Sequence, residues 1–287
     1  MSLEVKDTFF SKKKALNVRG NIWTLDSPVV MGILNLTPDS FYDGGKYDSL
    51  GATLKKATEL YALGAKIIDL GASSSRPGAS PVSEEEEWGR LSKVLIELKK
   101  EFPQGYISVD TCRSEIARRS LDLGADIIND ISGGQRDAEI IRVAAQQQAP
   151  YIAMHMRGDP ASMQELTSYD NLFNEVLDYF IRLDKKANEE GLTDLMLDPG
   201  FGFAKTTDQN YELLNQLELF KVLERVVVVG LSRKSMIYKT LGTQAEQALN
   251  GTTALHMSGL MNGADILRVH DVKEAIESIT LFNKLSR

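Results

Sequence analysis

Eight short apolar runs rich in β-branched residues recur along the chain, at 29–34, 66–70, 106–109, 126–128, 151–154, 195–197, 226–229 and 266–269. They are continuous rather than alternating, as expected of strands buried on both faces, and amphipathic helical segments separate them, so the strands read as parallel. Gly64, Gly124 and Gly263 sit where helices should stop, and Ser83 with Glu86 offers a capping box before a helix running toward Phe102. A weak repeat marks three of the helix-to-strand passages: Gly-Ala-Lys-Ile-Ile-Asp at 64–69, Gly-Ala-Asp-Ile-Ile-Asn at 124–129 and Gly-Ala-Asp-Ile-Leu-Arg at 263–268. The expected fold class is α/β: a single (β/α)8 TIM barrel over residues 29–287. Residues 1–28 are read as an N-terminal extension forming a hairpin across the barrel floor.

With 287 residues, 43% of them hydrophobic, the chain suffices for one such barrel, and no shift in composition marks a second domain. The 33 basic and 40 acidic residues give a net charge of -7, which argues against a broad nucleic-acid surface while allowing a local cation cluster. Cys112 is the sole cysteine and reads as a structural thiol, with neither a disulfide nor a thiolate metal cluster available. No stretch approaches the roughly 20 apolar residues that cross a bilayer, and the N-terminus lacks a secretory core, so a cytoplasmic setting is expected.

Each apolar run ends in residues costly to bury and useful to display: Asn35, the 73–76 group, Asp110, Asn129, His155, Asp198, the 232–234 group, and Arg268 with His270. In a barrel these ends converge on one rim. The first run empties into Asn-Leu-Thr-Pro-Asp-Ser-Phe-Tyr-Asp-Gly-Gly at 35–45, whose carboxylates, hydroxyls and exposed Phe have little packing reason to be there. Ser-Ser-Ser-Arg-Pro-Gly at 73–78, Ser232-Arg233-Lys234-Ser235 and Arg268-Val269-His270 bring cations and donors suited to a phosphate or diphosphate, though none is a Walker loop. Asn35, with a carboxylate such as Asp39, suits Mg2+, which takes oxygen ligands and bridges to substrate phosphates. Three widely spaced His residues argue against zinc, and His155 and His256 read as core histidines. In Asp198-Pro199-Gly200, an ionised carboxylate at a strand end can accept two parallel N–H bonds from a guanidine-like heterocycle. Asp110, Asn129 and Lys234 would complete the donor and acceptor pattern of an aminopyrimidinone ring. Taken alone, the same tripeptide is also a capped tight turn.

These segments, in this order from Val29 to Asp271, resemble the dihydropteroate synthase family. The motifs are the 35–45 loop, Ser-Ser-Arg-Pro-Gly at 74–78, Ser108-Val109-Asp110-Thr111, Ile128-Asn129-Asp130, Met154-His155-Met156, the 198–203 segment, Ser232-Arg233-Lys234 and Arg268-Val269-His270. The resemblance implies an Mg2+-assisted transferase of folate synthesis, joining a hydroxymethyl dihydropterin diphosphate to p-aminobenzoate and releasing diphosphate through a dissociative step. It implies Asp110, Asn129, Asp198 and Lys234 for the pterin, and Asn35, Ser75, Arg268 and His270 for the diphosphate, with Asn35 touching the metal. Phe41, Pro77, Phe203 and Ser235 are implied for the p-aminobenzoate pocket, and Asp43, Arg76, Phe41 and Lys234 for catalysis. Implied partners are these small molecules and a second copy of the chain, with no nucleic acid and no membrane. The chain departs from the family's Glu-Ser-Thr-Arg-Pro-Gly in having Ser73-Ser74-Ser75 before Arg76, which keeps the hydroxyl at Ser75 and leaves the loop's stiffness and sulfonamide response open. Alternatives are a methyltetrahydrofolate methyltransferase domain on a related pterin barrel, and a non-catalytic pterin-binding paralogue.

Overall fold

A computed structural model describes residues 14–36, 49–73, 82–159 and 162–285. Eight parallel strands close into a barrel in which each strand pairs with the next along the chain and the last pairs with the first. They are β3 (Val29–Asn35), β4 (Ile67–Gly71), β5 (Tyr106–Asp110), β6 (Ile127–Asp130), β7 (Tyr151–Met154), β8 (Leu195–Asp198), β9 (Val226–Val229) and β10 (Ile266–Val269). The eight apolar runs supply them, with strand ends shifted by one or two residues. Lys66 lies just before β4, while Asn129 and Asp130 extend β6.

Why the runs are continuous follows from the pleat, in which alternate residues face opposite sides of the sheet. Val30, Leu34, Ile68, Leu70, Val109, Ile128, Leu197, Val229 and Leu267 face outward and pack under the helices. Met31, Ile67, Ile127, Ile152, Met196, Val226, Val228 and Ile266 face the lumen at its lower end. Both faces are dry there, so neither parity can be polar.

The surrounding helices are α1 (Ser49–Ala62), α2 (Glu84–Glu101), α3 (Ser114–Asp122), α4 (Glu139–Gln146), α5 (Leu172–Glu189), α6 (Thr207–Asn215), α7 (Ser235–Thr240), α8 (Leu249–Met261) and α9 (Val272–Leu285). Ser83 caps α2 by accepting from the Glu86 amide at 3.2 Å. The reciprocal half of the expected box is missing, because the Glu86 carboxylate instead accepts from Arg90, one turn on, at 2.5 Å. A complete capping box forms at Thr206 and Gln209, at the start of α6. Gly64, Gly124 and Gly263 hold φ of 106°, 101° and 94° at helix ends, where a Cβ would be strained.

Ahead of the barrel, β1 (Lys14–Val18) and β2 (Asn21–Leu25) form an antiparallel hairpin. Arg19 and Gly20, both at positive φ, make a turn whose twist matches the strands. Leu16, Val18 and Leu25 join the lower lumen cluster, and the Trp23 ring stacks on Tyr106 at 4.4 Å. Lys14 reaches Asp265 at 2.5 Å, and the Asn17 amide donates to Asp194. The hairpin therefore closes the amino-terminal mouth of the barrel, leaving the opposite rim as the open end. No helix among the described residues is long and apolar enough to cross a membrane.

Candidate active site

Higher in the lumen the side chains change character. Strand register aligns Ile33, Asp69, Ser108 and Ile127 in one row, and Asn35, Gly71, Asp110 and Asn129 two residues above it. Their parity is that of Met31 and Ile67, so these side chains face the interior. Asp69 and Asn129 are buried. The Asn129 amide donates to Asp69 Oδ2 at 3.1 Å, and Arg268, rising from β10, donates through Nε to the same oxygen at 2.7 Å. Nη2 of Arg268 also reaches Asp110 Oδ2 at 2.9 Å.

Asp198 and Lys234 stand at the same end of the barrel. Asp198 ends β8 buried, with Oδ1 accepting from the Gly200 amide at 2.8 Å. Gly200 has no substitute there: its φ is 70°, and a Cβ would stand 2.1 Å from the His155 carbonyl oxygen. Lys234 caps α7 from the loop after β9, donates to the Phe201 carbonyl, and lies 4.8 Å over the Phe203 ring. Asp198 and Arg268 both lie on the lumen-facing parity at the carboxyl ends of their strands, and Asp198 feels the positive charges of both Lys234 and Arg268.

Burial sets the electrostatics. It raises the Asp110 carboxyl to about 7, with Arg268 opposing and Asp69 adding to the rise. Burial likewise raises Asp198 against the pull of Lys234, and lowers Lys234 to about 8 against the pull of Asp198. A carboxyl and an ammonium that both titrate near neutrality can change protonation with a bound ring.

Asn35 stands beside this cluster. A Cβ on Gly71 would lie 3.2 Å from Asn35 Oδ1 and 3.9 Å from Asp110 Oδ2, so the glycine keeps open a space between two oxygen-bearing side chains. His270 is exposed on the rim, where its backbone amide donates to Ser232 Oγ at 3.2 Å and ties the loops after β9 and β10 together. Ser235 opens α7 and is half-buried, as is Phe203, which packs beside Met154, Met156 and Met163. Phe41, Asp43, Ser75, Arg76 and Pro77, with Asp39, lie outside the described residues.

Arg233, expected among the anion-binding cations, instead forms a two-pronged pair with Asp271, 2.8 Å at each contact, and donates to the carbonyls of Ala245 and Glu246. At φ 55° it turns the chain so that Lys234, the next residue, faces the cavity while Arg233 clamps the loops from behind. His155 is buried, as a core histidine should be, and burial together with Lys205 drives its pKa well below the usual value, keeping the ring neutral. Its Nδ1 lies 3.0 Å from Lys205 Nζ, which also donates to the carbonyls of Gly200 and Phe203. Lys205 thus pins the 200–203 turn beneath Asp198. Sequence reasoning missed both Lys205 and Asp69. The available signal for Asp69 was a charge inside an apolar run.

Residues 31–270 match the family model described as pterin binding enzyme. The chain is 43% identical over 266 residues to the dihydropteroate synthase of Escherichia coli K12, covering 92% of this chain and 94% of that one. The chain belongs to the dihydropteroate synthase family. A member from Synechocystis sp. is 46% identical over 247 residues, 85% of either chain. Among solved members, the Yersinia pestis enzyme in a sulfonamide drug complex superposes with a TM-score of 0.88 at 38% identity, covering 95% of this chain and 99% of that one. The Xanthomonas albilineans enzyme with 4-aminobenzoic acid has a TM-score of 0.88 at 35% identity, covering 96% and 98%. Membership makes this chain a transferase of folate synthesis.

Proposed function

We propose that this chain condenses 6-hydroxymethyl-7,8-dihydropterin diphosphate with p-aminobenzoate, giving 7,8-dihydropteroate and diphosphate, and that it does so in the cavity described above. The observation carrying this reading is the juxtaposition of Asp110, Asn129, Asp198 and Lys234 with Arg268 at one barrel mouth. The first four present acceptors and donors to the edge of an aminopyrimidinone ring, and the guanidinium next to them suits the attached diphosphate. Asp198 and Asp110 accept ring N–H donors, Asn129 reads both senses of the pattern, and Lys234 donates to a ring oxygen or nitrogen. Asn35, Ser75, Arg268 and His270 hold the diphosphate.

The step is proposed to be dissociative: diphosphate departs, and the arylamine then attacks a resonance-stabilised pterin cation. An arylamine is unprotonated near neutral pH, so no strong general base is needed. What the protein must supply is charge neutralisation at the leaving group and exclusion of water from the cation. Arg268 serves the first. Phe41, Pro77, Phe203 and Ser235 are assigned to the p-aminobenzoate pocket. Arg76 and Asp43 are assigned to catalysis, Asp43 through electrostatic support of the positive carbon. The pocket for p-aminobenzoate is also where a sulfonamide would compete.

The residues present fit Mg2+ in a limited way. Asn35 Oδ1 and the Asp110 carboxylate flank the space over Gly71, whereas the described residues contain no cluster of three His, Cys, Asp or Glu able to hold a metal alone. Oxygen ligands few in number and completed by substrate phosphates are what Mg2+ commonly accepts. When bound it would neutralise charge on the departing diphosphate. The working unit is proposed to be a cytoplasmic homodimer of one barrel domain, 29–287, carrying the 1–28 extension. Met261 on α8 with Leu281 and Leu285 on α9 are exposed apolar side chains available to a second copy.

The test is an assay with purified protein, the pterin diphosphate, Mg2+ and p-aminobenzoate, following diphosphate. Release that requires both organic substrates and stops in EDTA is expected. Absence of release refutes the activity, and undiminished release in EDTA refutes the metal's role.

A further inference from the structure

Asp69 has no place in the assignments above, yet it is the most completely buried charge in the lumen, with a side-chain exposure of 0%. Its Oδ2 receives Arg268 and Asn129, while its Oδ1 has no hydrogen-bond partner among the described residues. Neither has the hydroxyl of Ser108, the residue across from Asp69 on β5. Compensation of this carboxylate therefore rests on the Arg268 guanidinium. Asp110, the other carboxylate on that guanidinium, has a side-chain exposure of 17% and opens toward the cavity.

The two contacts of Arg268 are thus unequal. Withdrawing the guanidinium from Asp69 strands a wholly buried negative charge, which is the most costly outcome for an ion pair. Withdrawing it from Asp110 leaves a carboxylate that ring N–H donors can satisfy at once. We propose that Asp69 is a positioning residue, the fixed seat on which Arg268 turns, so that the heterocycle's arrival at Asp110 and the anion's capture by Arg268 are coupled. The proposal rests on the reading of ring and diphosphate sites given above. A ring on Asp110 frees the Nη2 hydrogen that faced it for the anion, while Nε and Nη2 both stay 2.7 Å from Asp69 Oδ2, and an anion on Arg268 frees Asp110 for the ring. Each ligand breaks the same contact, so whichever binds second is spared that cost, and the coupling must be reciprocal.

Asp69 also decides how hard the contact is to break. Sharing the guanidinium between two carboxylates weakens its hold on Asp110. Asp69→Asn keeps an oxygen for Nε but removes the charge, and should leave Arg268 drawn onto Asp110, in competition with the ring.

The experiment is calorimetry on the full chain with Mg2+, titrating 6-hydroxymethylpterin and inorganic pyrophosphate alone and each in saturating amounts of the other. In the unaltered protein each should tighten the other by about tenfold, a coupling of ordinary size. In Asp69→Asn the pterin alone should weaken by about tenfold, and pyrophosphate should restore most of the loss by drawing Arg268 away, so that the coupling factor rises. A purely structural role for Asp69 would weaken the pterin equally with and without pyrophosphate, and that result overturns the proposal. Independent binding of the two ligands to the unaltered protein overturns it as well, while leaving the functional reading intact. Failure of either ligand to bind removes both. Should Asp69→Asn not fold, Arg268→Lys takes its place, since a single ammonium lacks the fork that spans two carboxylates. Loss of coupling there, with pterin affinity retained, supports the pivot, and persistent coupling overturns it.

Discussion

The two ends of the barrel are built from the same strands with the same alternation and serve opposite purposes. At the floor, Met31, Ile67, Ile127, Ile152, Met196 and Ile266 meet Leu16, Val18 and Leu25 of the hairpin, and every lumen position is apolar. Farther along the strands, the lumen positions include Asn35, Asp69, Asp110, Asn129, Asp198 and Arg268, with Ile33 and Met154 staying apolar among them. The floor stabilises the fold and does no chemistry. The upper lumen concentrates charge in a buried setting, which costs stability and moves pKa values toward neutrality, where they are useful. A strand can carry both because its lumen side chains are independent units of the pleat, two residues apart.

The sharpest way to break this contrast is Asp198→Ala. It should cost about 3–5 kcal/mol of pterin affinity by leaving ring donors unpaired. Near-normal affinity in calorimetry would remove Asp198 from the ring site. The complementary change at the floor is Leu16→Ala, which opens a cavity under the hairpin. It should destabilise the protein by about 2–4 kcal/mol in denaturant melts while leaving KM for both substrates unchanged. A comparable change in KM would show that the two ends are mechanically linked.

A smaller effect sharpens the comparison through pH. Asp110 titrates near 7 and accepts ring donors when ionised, so pterin affinity should fall as pH drops below about 7, by up to tenfold per unit. Lys234 titrates near 8 and donates only when protonated, so affinity should fall again above about 8. A bell with its maximum between those limits is expected in a binding titration, and Leu16→Ala should move neither limb. A flat profile would show that neither group changes charge in the range.

Much of this architecture was legible from residue order alone. Apolar runs mark strands buried on both faces because the physics of a parallel sheet covered by helices leaves no wet side. Polar residues at eight run ends mark the rim because nothing in packing calls for them. Asp69 escaped notice because it lies inside a run rather than at its end, and its partners Asn129 and Arg268 stand 60 and 199 residues away. The same distance hid the Lys205 contact to His155, 50 residues off, and the clamp of Arg233 on Asp271.

Local pattern alone determined which segments become strands, which positions reach the rim, and which side-chain chemistry is displayed there, since these depend on period and on the cost of burying polar groups. Only barrel closure decided which charges meet. Arg268 on the last strand neutralises Asp69 on the second of the eight because the first and last strands become neighbours. Arg233, one residue from Lys234, turns away because a single left-handed residue reverses the direction of the next side chain. Pairings of this kind are set by the three-dimensional path of the backbone, and no spacing along the chain encodes them.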